Sequence, residues 1–291
     1  MKVMMIGATG PNAGLVLPAL IARGVTVRAL VRDDQRAALA RQRGAAEAVI
    51  GDLRDAASLR AAAEGVDGVF HVGPAFAPRE AEMGKAMVAA ATDAGVEKFV
   101  FSSVLHPSIT ALSNHAAKQP VEEALYLSGL DFTVLQPAMF MQNLTGAVEA
   151  ARESGQLAMP YSKHAKVCWV DYRDVADAAA LAFTTSELSR GTFELCSAGL
   201  VDRVEMAEML GRALGRSVDA IEIPRDRWAA RLPEGPLRDG MARMMAHYDM
   251  HGFPGGNALV LRSILGREPR TLEQFFNESA EQRSPTERSS R

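Results

Sequence analysis

Lysine is scarce in this chain: of 32 cationic residues only six are lysine, so each one is worth placing. Cysteine is scarcer. Cys168 and Cys196 are the only two, which argues against a disulfide framework and against a zinc cluster. They read as buried free thiols in a reducing compartment. No apolar run approaches the ~20 residues that a membrane helix needs, and the apolar start is too short for a signal peptide. Neither sign of charge dominates, with 32 Lys+Arg against 35 Asp+Glu and a net charge of -3. The broad basic field of a nucleic-acid or membrane-surface protein is therefore missing. These absences leave a soluble cytoplasmic globule of 291 residues, expected to bind neither nucleic acid nor membrane nor metal. It is long enough to bury a core without staples.

What is present is an alternation of two periods. Short apolar runs at Val3–Ile6, Val25–Val31, Ala48–Ile50, Gly68–Val72, Lys98–Ser102 and Thr133–Gln136 read as strands buried on both faces. Helical patterns lie between them, at Gly14–Arg23, Asp34–Arg43, Ala56–Ala63, Arg79–Ala94 and Ala116–Ser128. Strand, crossover helix, strand is the sequence form of an α/β doubly wound parallel sheet, the Rossmann arrangement. After Pro137 the alternation fades. Strands are expected at Val167–Val170, Thr192–Cys196 and Ser217–Ile223, and helices at Asp171–Thr184, Arg203–Leu214 and Pro236–Met250. The division expected is 1–137 for a nucleotide-binding domain to which later segments return. Residues 138–277 would form a smaller C-terminal α/β lobe covering the substrate, and 278–291 a disordered tail with almost nothing to bury.

The first strand runs into Gly7-Ala8-Thr9-Gly10-Pro11-Asn12-Ala13-Gly14 and then a helical pattern. In that context a glycine phrase is strong evidence for a dinucleotide site. Gly7 permits the sharp turn, Gly10 lets the backbone approach a pyrophosphate, and small Ala13 and Gly14 let the helix lie close on the sheet. The second strand ends at Arg32, where arginine suits the 2′-phosphate of NADP and an acidic residue would suit the diol of NAD. NADP(H) is thus favoured over NAD(H), with Arg36 as a helper. Asp33 and Asp34 follow at once and either cap the next helix or bind a diol. Asp52, in Gly51-Asp52-Leu53 after the third strand, either bonds the adenine amino group or caps the helix that begins at Ala56.

Four later phrases join the glycine turn and the Val31-Arg32-Asp33 tip. They are Ala94-Gly95-Val96-Glu97-Lys98-Phe99-Val100, Ser102-Ser103, Ser128-Gly129-Leu130-Asp131-Phe132-Thr133 and Gln136-Pro137-Ala138-Met139-Phe140-Met141-Gln142-Asn143. Together with Val170-Asp171-Tyr172-Arg173-Asp174-Val175-Ala176, these resemble the NmrA-like branch of atypical short-chain dehydrogenases over about residues 1–278. Gln136 stands where that family commonly has Arg. The branch includes nucleotide-sensing regulators and reductases of the isoflavone and triphenylmethane types. The resemblance implies that Gly73, Pro74 and Phe76 pass near the nicotinamide. It also implies that Pro137, Phe140, Met141 and Asn143 border cofactor and substrate.

Short-chain dehydrogenases usually pair a tyrosine with a lysine four residues on. The lysine that corresponds here is Lys118, and Asn114 stands in the tyrosine position. Lys118 either binds the nicotinamide ribose or makes a surface pair with Glu122. His115, three residues before Lys118, is a candidate proton donor. Ser102 and Ser103 end a strand at the sheet edge where ligands gather. His106, Tyr161, Trp169 and Tyr248 are substrate-contact candidates, with plain packing as the competing role; Met241, Met244, Met245 and Met250 read as a packing face. Two functions follow. One is an NADPH-dependent reductase of a small, largely apolar carbonyl or conjugated substrate. The other is a dinucleotide-sensing regulator, which would need a protein partner; a homo-oligomer is open in either case.

Overall fold

The structure, a computed structural model, describes residues 1–281. From the N-terminus come β1 (Lys2–Ile6), a 3-10 turn at Ala13–Leu15, α1 (Val16–Ala22), β2 (Thr26–Val31), α2 (Asp34–Gln42) and β3 (Glu47–Ile50). There follow α3 (Ala56–Ala63), β4 (Gly68–Val72), α4 (Glu80–Asp93), β5 (Lys98–Ser102), α5 (Ser113–Ala116), α6 (Gln119–Tyr126) and β6 (Asp131–Pro137). The middle of the chain holds β7 (Met139–Phe140), α7 (Thr145–Ser154), β8 (Gln156–Met159), β9 (Trp169–Val170), α8 (Tyr172–Thr184) and β10 (Gly191–Leu195). Last are α9 (Arg203–Leu214), β11 (Asp219–Glu222), α10 (Arg225–Ala229), α11 (Pro236–His251), α12 (Leu259–Leu265) and α13 (Leu272–Glu281).

Two compact units divide these elements. The first comprises Met1–Ala138, Tyr172–Leu195 and Val260–Gly266. It contains a seven-stranded sheet in the order β10-β6-β5-β4-β1-β2-β3, every neighbour pair parallel. This is the doubly wound α/β sheet that the alternation implies. Its central strands β1, β4 and β5 are mostly apolar and buried because both faces are covered, whereas the edge strands β3 and β10 are partly exposed. Met4 and Ile6 of β1 join Val69, Phe99 and Phe101 in one cluster with Leu59 of α3, Met87 of α4 and Val121 and Leu125 of α6. On the opposite face Gly68 leaves room for Phe183 of α8, whose ring would lie 2.7 Å from an added Cβ. The later half of the chain thus returns one helix and one edge strand to the sheet.

The helix expected over Ala116–Ser128 is α6, which begins later, at Gln119; Ala116 instead ends the short α5, with Lys118 between the two and Pro120 in the first turn of α6. Proline has no N–H to give the preceding turn and clashes with its carbonyl, so it favours a fresh helix start here.

The second unit comprises Met139–Asp171, Cys196–Leu259 and the chain from Arg267 on. It carries two small parallel pairs, β8 with β11 and β7 with β9. Arg203, at the start of α9, is 1% exposed and donates to the carbonyls of Met159, Tyr161 and Ile221. Its guanidinium also lies 4.6 Å from the centre of the Tyr161 ring. A capping box of Asp202 and Glu205 starts the same helix, satisfying two of its otherwise orphaned N–H groups.

Two expectations change in this unit. The expected disordered tail begins with 278–281, and these residues form the last turn of α13. The helix buries Leu272, Phe275 and Phe276, and Arg152 donates to its terminal carbonyls at Ser279 and Ala280. The remainder of that tail lies outside the described residues. On α11, Met245 is buried whereas Met250 is 74% exposed, so the methionines do not share one packing face. Cys168 and Cys196 are free and buried. Hydrogen bonding with Cys196, together with burial, pushes the Cys168 thiol far up from its ordinary value.

Candidate active site

In the first unit the C-terminal strand ends carry most of the candidate residues. Gly7 has φ +86°, and a Cβ there would lie 2.9 Å from that of Ala13. Glycine alone fits this turn. Gly10 donates its N–H to the Gly7 carbonyl at 2.9 Å, and a Cβ on Gly14 would meet the Ala8 carbonyl at 3.1 Å. The turn therefore presents bare backbone. Thr9 and Asn12 are partly exposed beside it, Pro11 is exposed and Ala13 is buried.

Two arginines reach this turn, and a third stands just past the end of β2. Arg32 is exposed at the end of β2. Arg36 Nη1 reaches Thr9 Oγ1 at 3.3 Å, and Arg43 Nη1 lies 3.4 Å from the Ala8 carbonyl. Arg43, just past the end of α2, was not apparent in the sequence, since nothing there separates it from the arginines that precede it. Asp33 is committed elsewhere: its side chain caps α2 by accepting from Arg36 N at 2.7 Å.

Asp52 does not cap the next helix. Asp55 does, accepting from Ala57 N. Hydrogen bonds from the Arg54 guanidinium and backbone hold the Asp52 carboxyl down at about 2. Its neighbour Leu53 is half-buried against the apolar cluster.

Lys118 is not the surface partner of Glu122. It is 6% exposed and paired with Glu80, the first residue of α4, which is itself 4% exposed. The other oxygen of Glu80 accepts from Phe76 N at 3.1 Å. One carboxylate thus holds both the lysine and the loop after β4, where Phe76 and Arg79 adopt left-handed φ of 64° and 63°. Gly73 makes room for the pair, since a Cβ there would lie 2.8 Å from Glu80 Oε1 and 3.1 Å from Lys118 Nζ. Pro74 is exposed and accepts the turn bond from Ala77 N. Nearby on β4, His71 is 1% exposed and stacks 5.6 Å from the Phe101 ring. Burial and the Lys118 charge bring its imidazole down to about 3.

The two serines that end β5 face different helices. Ser102 Oγ lies 3.2 Å from the Tyr172 hydroxyl of α8, and burial pushes that phenol up to about 12. Ser103 donates to Glu122 Oε1 at 2.5 Å. Gln136 of β6 donates Nε2 to both Glu122 oxygens, and Tyr126 donates to Oε2 at 3.2 Å. Pro137 ends β6, buried, with its carbonyl accepting from Leu105 N. His106 has φ +55° and sits 3.8 Å from Glu194. His115 is 1% exposed with Nδ1 3.0 Å from the His106 carbonyl, so one ring nitrogen is bound to the loop backbone.

Within the second unit, Met141 and Trp169 come together on a cavity of about 160 Å³ that Ser197, Val201, Met209 and Thr271 also line. Tyr161 and Tyr248 do not join them. Their rings pack edge to face at 6.1 Å, with Phe253 beside Tyr248 at 5.5 Å. Phe140 lies in β7, and Asn143 is exposed.

A family model described as the NmrA-like family matches residues 1–280. The chain belongs to the NmrA-like family. Among its relatives, an NAD(P)H azoreductase of Xenophilus azovorans is 31% identical and covers 94% of this chain and 96% of its own length. Quinone oxidoreductase 2 of Escherichia coli is 25% identical, with 94% and 96% covered. The crystal structure of a Citrobacter sp. triphenylmethane reductase with NADP(H) superposes with a TM-score of 0.82 at 20% identity, covering 96% of this chain and all of that one.

In this NmrA-like protein, sequence reasoning missed Glu80, His71 and Tyr172 and misjudged Glu122. Glu80 shares the first turn of α4 with Glu82, and acids there read as dipole partners. Glu122 sits beside Glu123 with nothing to mark which of them faces inward.

Proposed function

We propose that this NmrA-like protein is an NADPH-dependent reductase of small, largely apolar carbonyl or conjugated acceptors. The observation that carries the reading is the buried Lys118, clasped by Glu80 at the C-terminal edge of the sheet. A buried lysine charge is costly unless it is paired. The first unit fits a dinucleotide: the glycine turn presents backbone that any Cβ would obstruct, and Gly73 opens the ground beside Lys118. A bound reduced dinucleotide supplies the electron pair. Gly7, Thr9, Gly10, Pro11, Asn12 and Ala13 take its pyrophosphate, Arg32 and Arg36 its 2′-phosphate, and Asp52 and Leu53 its adenine. Lys118 holds the nicotinamide ribose, with Gly73, Pro74, Phe76, Ser102 and Ser103 around that end. The acceptor class draws support from the relatives' names, since azo compounds and quinones are both conjugated electron acceptors.

Asn114, in the place of the usual tyrosine, favours a second reading: a dinucleotide-sensing regulator that binds a protein partner. One experiment separates the two. Purified protein is mixed with NADPH and a panel of quinones, azo dyes and enones, and nucleotide binding is measured in parallel by calorimetry. The reductase reading expects NADPH consumption with at least one acceptor. Tight binding with no consumption above background would instead support the sensor.

A further inference from the structure

The Lys118 ammonium has more donors than the chain gives it acceptors. It carries three N–H groups. It is 6% exposed, and Glu80 is its one hydrogen-bond acceptor among the described residues. Its other near neighbour is the face of Phe101, whose ring centre lies 5.8 Å from Nζ. Two donors of a buried cation are thus left for an acceptor that the described chain does not supply.

Glu80 does two things at once. One oxygen takes the lysine, and the other accepts from Phe76 N at 3.1 Å. The carboxylate is 4% exposed and opens α4, where the helix N-terminus favours its negative charge. Phe76 belongs to the loop between β4 and α4. That loop carries two non-glycine residues at left-handed φ, Phe76 at 64° and Arg79 at 63°. Backbone of this kind is costly and persists only where its surroundings hold it, and the bond from Phe76 N to Glu80 is one such hold. Gly73, at the start of the same loop, passes close by. A Cβ there would lie 2.8 Å from Glu80 Oε1 and 3.1 Å from Lys118 Nζ. Loop, carboxylate and ammonium are thus packed as one unit.

We propose that Glu80 is a positioning residue. It fixes the Lys118 ammonium and the β4–α4 loop in one arrangement, so that the two remaining lysine N–H groups meet the hydroxyls of the nicotinamide ribose. This rests on the ribose role of Lys118 given above. Glu80 acts through the lysine and the loop, not by touching the nucleotide. Glutamine in its place has one acceptor oxygen instead of two and no charge, so it releases either the lysine or Phe76. Aspartate keeps the charge but is one methylene too short to hold both.

Nucleotide binding to the cofactor-free protein tests this without any turnover. Calorimetry is run with NADPH and with adenosine 2′,5′-bisphosphate, which has the adenine and the 2′-phosphate but no nicotinamide ribose. Glu80→Gln should raise the Kd for NADPH by about 10-fold, as for the loss of a charge-assisted hydrogen bond. The Kd for the bisphosphate should not change. Lys118→Met should show the same selective loss. The double variant should lose no more than Lys118→Met alone, because Glu80 acts through the lysine. Hydrogen exchange reads the loop: the Phe76 amide should exchange faster in Glu80→Gln than in wild type, with the sheet amides unchanged. If circular dichroism shows that Glu80→Gln does not fold, Glu80→Asp carries the same measurements.

Equal losses for both nucleotides would mean a merely structural role and overturn the proposal. So would a wild-type Kd for NADPH in Glu80→Gln, or single losses that multiply in the double variant; either leaves the ribose role of Lys118 standing. If Lys118→Met binds NADPH as wild type does, or wild type binds no nucleotide, that role falls and the positioning by Glu80 with it.

Discussion

Arg32 and Lys118 were legible in the sequence for different reasons. Arg32 follows a strand at the position where dinucleotide folds discriminate cofactors, and its exposure leaves the guanidinium available. Arg32→Ala should raise the Kd for NADPH by about 10- to 100-fold, the loss of charge-assisted bonds worth ~1.5–3 kcal/mol. The Kd for NADH should stay within a factor of two; calorimetry with both nucleotides checks this, and equal losses would remove Arg32 from the 2′-phosphate. Lys118 stood out by scarcity and by the family pattern, but its partner did not. Glu80 lies 38 residues away in sequence, and only the packing of α4 against α6 brings the two together. Removing one member of a buried pair strands the other, at about 3–5 kcal/mol. Lys118→Met should therefore cost more stability than the double variant Glu80→Gln/Lys118→Met, as read from denaturant midpoints.

The elements that place these side chains are held by close approach rather than by any sequence signature. Gly84 on α4 is the clearest case: a Cβ there would lie 2.4 Å from Val121 Cγ2 of α6. Gly84→Ala should cost about 1–3 kcal/mol by overpacking. Because Glu80 begins α4 and Lys118 caps the start of α6, the same change should lower turnover with NADPH. A variant as stable and active as wild type would show that the two helices part freely. In the sequence Gly84 is a mid-helix glycine like any other, and its meaning lies entirely in the neighbouring helix. The break between α5 and α6 was readable in principle, since Pro120 is on the page. The apolar period ran across it, and periodicity alone cannot register a missing N–H.

The first unit as a whole stores a pH dependence in His71. Its imidazole is neutral in the fold, held at about 3 against the usual 6.5 by burial and by Lys118. The unfolded chain takes up that proton below about 6.5 and the folded chain does not, so unfolding binds protons in this interval. The contribution is complete above pH 6.5 and is lost as pH falls toward 3. Between these limits the unfolding free energy from urea titrations should fall more steeply with falling pH for wild type than for His71→Phe, by up to about 1.4 kcal/mol per pH unit. Parallel slopes would mean that His71 is solvated or charged in the fold.

The α/β class, the glycine turn and the arginine at the end of β2 were determined by local chemistry: strand and helix periods, the steric freedom of glycine and the order of residues along one strand end. Each is a property of neighbours in the chain. Which of 35 acids meets Lys118, which serine faces Glu122, and that residues 172–195 return to the first unit were decided only by the tertiary structure. Those pairings depend on which helix faces cover which strands, and burial alone turns an ordinary glutamate, histidine or lysine into a group whose charge must be answered.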